Sequence, residues 1–299
     1  MRLMFEEIRK NKIKSWILVI AFTVVIANLG AVIGFIYGSL YFGVILALII
    51  SLIYIFFSYF SGDKTILKTS GAREVTKKEY PYLFHLIDGL AISAGIPKPR
   101  AYVIDDSALN AFATGRDPEH ASITVTTGLL KKMNRQELEG VVAHEMSHIK
   151  NYDVRFMMLV VMLAGLVTLL SDFMFRSFFW SSRGKSSNRK GGGVFVVIII
   201  VAVVLAILSP IIGQIIQFSI SRKREFLADA NAAVLTRYPP GLASALRKIA
   251  SDPDPLVDKA NKATAHLFIS TPFRKEHGIS RLFLTHPPLS ERIKILEEM

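Results

Sequence analysis

From Ser15 to Gly62 the chain runs 48 residues without one Asp, Glu, Lys or Arg. A helix needs ~20 apolar residues to cross the hydrocarbon core of a bilayer, so this run is long enough for two crossings. The chain as a whole agrees: 51% of its residues are hydrophobic, 20% are charged and the mean hydropathy is +0.40. Ordinary soluble, disordered and fibrous classes are excluded on that basis. Ahead of the run stands MRLMFEEIRKNKIK, with basic residues at Arg2, Arg9, Lys10, Lys12 and Lys14. A signal peptide has a shorter apolar core followed by polar sequence. The pattern here predicts an uncleaved anchor from Trp16 to Tyr37 that starts inside. A turn near Gly38 and Ser39 follows, then a second span from Leu40 to Tyr59.

Four regions follow from the distribution of charge. Residues 1–62 form the basic tail and a membrane hairpin, and residues 63–155 a polar lobe on the inner face. Residues 156–221 hold a second apolar hairpin, and residues 222–299 complete the polar lobe. The second hairpin consists of Phe156–Ser171, Gly191–Ser221 and a Ser/Gly/basic loop at 176–193 with no means of packing. This makes about four membrane or membrane-associated helices in a mostly α protein. One conflict stands. Four crossings from inside place Arg176, Arg183, Lys185, Arg189 and Lys190 outside, against the positive-inside rule, and the third apolar block is short. Either kind of hairpin returns the chain to the side it left. The net charge of +12 is read as basic loops beside anionic lipid, with no nucleic-acid partner. There is no cysteine, which removes disulfides, thiolate zinc sites and a thiol nucleophile.

The segment MNRQELEGVVAHEMSHIKNYD, Met133 to Asp153, carries the chemistry. Asn134 and Glu137 have capping-box spacing, so a helix is predicted from Arg135. His144 and His148, four apart, share one face of that helix and can bind one divalent metal. Glu145 stands beside the first ligand, where it can take a proton from a metal-activated water; this is the H-E-x-x-H pattern. Burying His, Glu and His together is costly without a function. A catalytic zinc takes three protein ligands. The IKNYDV that follows His148 excludes a third histidine in an H-x-x-G-x-x-H extension. The alternative is an acid on another helix. In SRKREFLADANAA, Glu225 and Asp229 are four apart; Glu225 can ligate, and Asp229 can accept the ring N–H of a ligating histidine.

The HEMSH helix, the SRKREFLADANAA stretch and the terminal THPPLSERI together resemble the HtpX membrane metalloproteases, relatives of the CAAX prenyl endoproteases. The resemblance covers nearly the whole chain. It implies a zincin-like α+β catalytic domain with a small β-sheet and one Zn2+. It implies His144, His148 and Glu225 as ligands, Glu145 as the catalytic glutamate and Asp229 as the acid that steadies a ligand. It further implies a multi-pass protein of the cell membrane, with its site on the cytoplasmic side. The substrates it implies are misfolded or damaged membrane proteins handled in quality control under stress.

Zinc proteases commonly take substrate as an added strand. The expected edge is ASITVTTGLL, Ala121 to Leu130, whose Ile123 and Val125 alternate with threonines, Thr126 among the expected substrate contacts, as in a half-buried strand. By resemblance, Asn110 lies near the substrate backbone, and His286, before two prolines, donates to a developing oxyanion. Arg292, on the last predicted helix, is either a site residue or a solvated charge. Three other readings rank below the protease. A pseudoprotease needs no Glu145. An intramembrane protease would place Glu139, Lys150, Asp153 and Arg155 at membrane depth. CAAX-type processing uses more spans than the four apolar blocks here.

Overall fold

The computed structural model describes residues 2–36, 38–166, 222–252, 267–269 and 287–299. Helix α1 (Arg2–Ile36) and helix α2 (Leu40–Thr69) form an antiparallel hairpin joined at Gly38, whose φ of 80° suits a residue without a Cβ. Their backbones nearly touch. A Cβ on Gly30 would lie 2.5 Å from the carbonyl oxygen of Gly43, and one on Gly43 would lie 2.2 Å from that of Gly30. Small residues permit this approach where two helices face lipid, because dispersion rather than water exclusion must hold them. Their outer surfaces are apolar and bare, with Trp16, Ile20, Tyr41, Leu52 and Phe56 all exposed. Two stretches, Ile8–Val32 and Leu40–Thr69, are long and apolar enough to cross a membrane. The basic loop, the fourth apolar block and the end of the third lie outside the described residues.

Two features differ from the expected hairpin. The basic tail is already helical, so α1 enters the apolar stretch without a break. Helix α2 continues past Tyr59 to Thr69 and carries Ile66 and Leu67 into a buried cluster with Tyr102, Ile104 and Phe112. Asp63, on the same turn, is ion-paired with Arg100 at 3.0 Å.

The polar lobe is built on a mixed four-stranded sheet. Its strands are β1 (Arg73–Glu74), β2 (Arg100–Ile104), β3 (Ala111–Gly115) and β4 (Ala121–Thr126), in the order β1-β2-β4-β3. Strand β4 runs parallel to β2 and antiparallel to β3. One face, with Val103, Ala113, Ile123 and Val125, packs on α3 (Pro81–Ala94) and α5 (Arg135–Lys150). The other face, with Tyr102 and Phe112, meets α2 and Met157, Met158 and Val161 of α6 (residues 153–166). A short helix, α4 (Thr127–Lys132), precedes α5. Helices α7 (Arg222–Thr236) and α8 (Pro239–Ala250) lie against α5, and α9 (Leu289–Glu297) closes over α7 and α8. Helix α8 approaches α5 at two glycines: a Cβ on Gly140 would sit 2.7 Å from the nitrogen of Leu242, and one on Gly241 would sit 2.6 Å from the oxygen of Gln136.

The sheet order corrects the expected substrate strand. β4 is paired on both sides and presents no free edge. Ile123 and Val125 are fully buried in the core, and so are the alternating Ser122, Thr124 and Thr126. The alternation is real, but the polar positions lie under a second layer: Thr124 stands between Tyr102 and Phe112 in register. Among the described strands the edges are β1 and β3.

Candidate metal centre

Helix α5 starts where the spacing places it. The Asn134 side chain accepts from the Glu137 N–H at 2.9 Å, and the Glu137 carboxylate accepts from the Asn134 N–H at 2.8 Å. Glu137 is held further by Ser244 at 2.7 Å and Lys248 at 2.6 Å, so the cap also ties α5 to α8. The helix then runs unbroken through both histidines, which are buried.

The two Nε2 atoms of His144 and His148 face each other at 3.2 Å. Two nitrogens bound to one tetrahedral zinc at ~2.05 Å stand about 3.3 Å apart. Each ring is anchored through its other nitrogen. His144 Nδ1 lies 2.9 Å from Asp229 Oδ1, and His148 Nδ1 lies 3.0 Å from Asp153 Oδ2. A carboxylate at Nδ1 keeps the proton there and leaves the Nε2 lone pair free to ligate. Glu225, on α7, supplies the third donor: Oε1 is 3.5 Å from His148 Nε2 and Oε2 is 3.8 Å from His144 Nε2. The three side chains offer donor atoms all within 4.8 Å of one another, and no other such group of His, Cys, Asp and Glu occurs among the described residues. Two imidazole nitrogens and a carboxylate, buried and convergent, fit a divalent transition metal.

The electrostatics favour a cation. Burial opposes charge on His148, but Asp153, Glu225 and Glu145 outweigh it and push the imidazolium pKa up to about 9. For His144, burial and the neighbouring Arg292 prevail over Asp229 and hold the ring below its usual value. Glu145 is buried at 2% exposure, and desolvation pushes its carboxyl up to about 7, against the pull of His148 and of the Ala113 backbone N–H. A dication beside it would draw that value down and favour the carboxylate. Ala113 belongs to β3, so this edge strand and Glu145 meet at the same small pocket. That pocket is lined by Ala113, His144, Glu145, His148, Glu225 and Ile269, among others. The Ile269 N–H donates to the Ala111 carbonyl at 2.9 Å, so residues 267–269 pair with the start of β3.

Arg292 is not a solvated charge. It is fully buried and grips Asp229 with Nε at 2.8 Å and Nη2 at 2.7 Å, while Nη1 lies 3.3 Å from Glu225 Oε2. It therefore fixes the acid that fixes His144. Asn110 is buried just ahead of β3, where its side-chain oxygen accepts from the Ala111 N–H. Thr126 caps α4 and donates to the Ala108 carbonyl, a structural use. His286 lies outside the described residues. Asp153 was not singled out as a site residue from sequence, although it stands five positions past His148. The only local sign is an acid beyond the end of the helix, where the chain must bend back for it to reach the ring. Tyr152, with φ at 61°, makes that bend.

Comparison with known proteins agrees with this geometry. Residues 77–299 match the profile of peptidase family M48. A protease HtpX homolog from Dictyoglomus thermophilum is 44% identical over 295 residues, covering 99% of this chain and 94% of that protein. One from Streptococcus gordonii is 41% identical over 299 residues, covering 99% and 100%. Among solved structures, Ste24p from S. mikatae superposes with a TM-score of 0.51 at 21% identity, covering 98% of this chain and 67% of that one.

Proposed function

The chain belongs to peptidase family M48 and is a membrane metalloprotease; on that premise we propose how its residues divide the work. His144, His148 and Glu225 hold one Zn2+, for which two imidazoles and a carboxylate are a fitting donor set. When bound, such an ion supplies Lewis-acid polarisation of the scissile carbonyl and lowers the pKa of a water. Glu145 takes the proton of the attacking water on a carboxylate oxygen and delivers it to the leaving amine nitrogen. Asp229 and Asp153 keep the ligand rings in the right tautomer, and Arg292 keeps Asp229 in place. The edge of β3 beyond the Ala111 carbonyl that Ile269 occupies receives the substrate backbone as an added strand, with Asn110 ahead of it. His286 enters as oxyanion donor from the family resemblance alone.

The observation that carries the reading is the pair of Nε2 atoms at 3.2 Å, each on a ring whose Nδ1 is held by a carboxylate. The four apolar blocks and the basic N-terminus support a multi-pass protein of the cell membrane with the site on the cytoplasmic side. The same placement suits protein substrates that expose unfolded segments near the bilayer, such as damaged membrane proteins under stress. The test is the isosteric Glu145→Gln on detergent-purified full chain. One zinc per chain is expected in both proteins, with casein cleavage lost by at least about 100-fold in the variant. Equal cleavage by both would end the role given to Glu145.

A further inference from the structure

The two ligand histidines are anchored differently. Asp229, behind His144, is gripped by a buried guanidinium. Asp153, behind His148, is held by a residue from the far end of the chain: Asn11, on the turn of α1 just ahead of the charge-free run that begins at Ser15. Asn11 is 1% exposed. Its Nδ2 donates to Asp153 Oδ1 at 2.7 Å and to the Asn151 carbonyl at 3.0 Å. Its Oδ1 accepts from Arg224 Nη1 at 3.0 Å, and Arg224 Nε lies 3.7 Å from Asp153 Oδ1. Arg224 immediately precedes Glu225. One amide therefore touches the acid that orients one ligand and the residue that adjoins another. The Asp153 carboxylate divides its oxygens, Oδ2 to the His148 ring and Oδ1 to Asn11.

A buried amide must satisfy its donors and acceptor or lose desolvation energy. An amide also suits this place chemically. It donates to a carboxylate on one side and accepts from a guanidinium on the other, which neither Asp nor Lys can do. We propose that the membrane anchor is a working part of the metal centre, with Asn11 as a positioning residue that acts through Asp153 on His148. The proposal rests on His148 being a ligand. It implies that movement of α1 relative to the lobe changes metal affinity.

The experiment is a double-mutant cycle on the full chain in detergent: wild type, Asn11→Ala, Asp153→Ala and the pair. Zn2+ affinity is read by chelator competition, and ligand geometry by the visible spectrum of the Co2+-substituted protein. Partners of ligating histidines typically govern affinity by 10- to 100-fold. Asp153→Ala is expected in that range and Asn11→Ala at about 5- to 10-fold, with an altered Co2+ spectrum. The pair should bind no more weakly than Asp153→Ala alone, because the effect of Asn11 passes through Asp153. Unchanged affinity in Asn11→Ala, or losses that multiply in the pair, overturns the inference. So does a fall in metal-free melting temperature with affinity intact, which marks a merely structural residue. If Asn11→Ala does not fold, the isosteric Asn11→Asp keeps the acceptor for Arg224 but sets a carboxylate against Asp153. Wild-type affinity in that variant overturns the inference, as does failure of both to fold, since positioning requires a folded apoprotein. Absence of zinc binding in wild type would strike the ligand assignment itself.

Discussion

Arg292 offers a quantitative test of how the centre is held when no metal is bound. Arg292→Met keeps length and apolar stem but removes the charge that faces Asp229 and Glu225. Two charge-assisted bonds to Asp229, at 2.8 and 2.7 Å, disappear, each of ~1.5–3 kcal/mol. The simple sum is about 3–6 kcal/mol. Removing one member of a buried pair costs ~3–5 kcal/mol, largely through the charge left behind, so the two routes agree near 4. For a folded unit of ~150–250 residues, 1 kcal/mol moves the melting temperature by about 2–4 °C. A fall of roughly 6–20 °C is expected for the chelator-treated variant, followed by circular dichroism in detergent at one fixed scan rate. Asp229→Asn in the same background should recover part of the loss, because the unpaired buried carboxylate is gone while an acceptor for His144 remains. A variant melting within about 2 °C of wild type, or strict additivity in the pair, would refute the reasoning.

Three further outcomes are expected. The Glu137 carboxyl, which burial alone would raise, is held below its usual value by Lys248, the Asn134 N–H and Ser244; a depressed folded pKa gives stability that is full above the unfolded value of ~4.3 and is lost as pH falls through the folded one. Wild type should therefore melt above Glu137→Gln at pH 7, and the two curves should converge as pH falls below the unfolded value and through the lower folded one. Gly140→Ala would set a methyl 2.7 Å from the Leu242 nitrogen, so α5 and α8 must part; overpacking of this kind costs ~1–3 kcal/mol, read as a lower melting temperature with zinc stoichiometry retained. Removal of zinc by chelation should lower the melting temperature of wild type, by an amount worth ~2.7 kcal/mol when free metal had stood at 100 times its Kd, and should leave His148→Ala unmoved.

What could be read in the sequence is what is encoded locally. The capping box, the i,i+4 histidines and the i,i+4 pair Glu225 and Asp229 each depend on helix geometry alone, and the structure brings them together as that geometry requires. The turn at Gly38 is equally local. Features that arise from packing were not legible. The alternation in β4 marks two kinds of side chain but does not say that a helical layer covers the polar one, so an interior strand passed for an edge. Arg292 reads as an ordinary charge until α9 closes over α7. Asp153 and Asn11 are 142 positions apart in the chain, and no spacing rule joins them.

Helix α2 leaves the apolar run at Gly62 and continues as one rod to Thr69 before the chain turns into the sheet. With ~1.5 Å of rise per residue, those seven residues carry about 10 Å of helix into the lobe. The rod is a rigid coupling between the apolar hairpin and the sheet. Because Asp63, Ile66 and Leu67 are locked into the lobe, no loop intervenes to let the hairpin turn against it. Inserting a single residue at Gly62 would lengthen the helix only slightly but swing the lobe by about 100° against the hairpin, turning the metal centre away from the side it now faces.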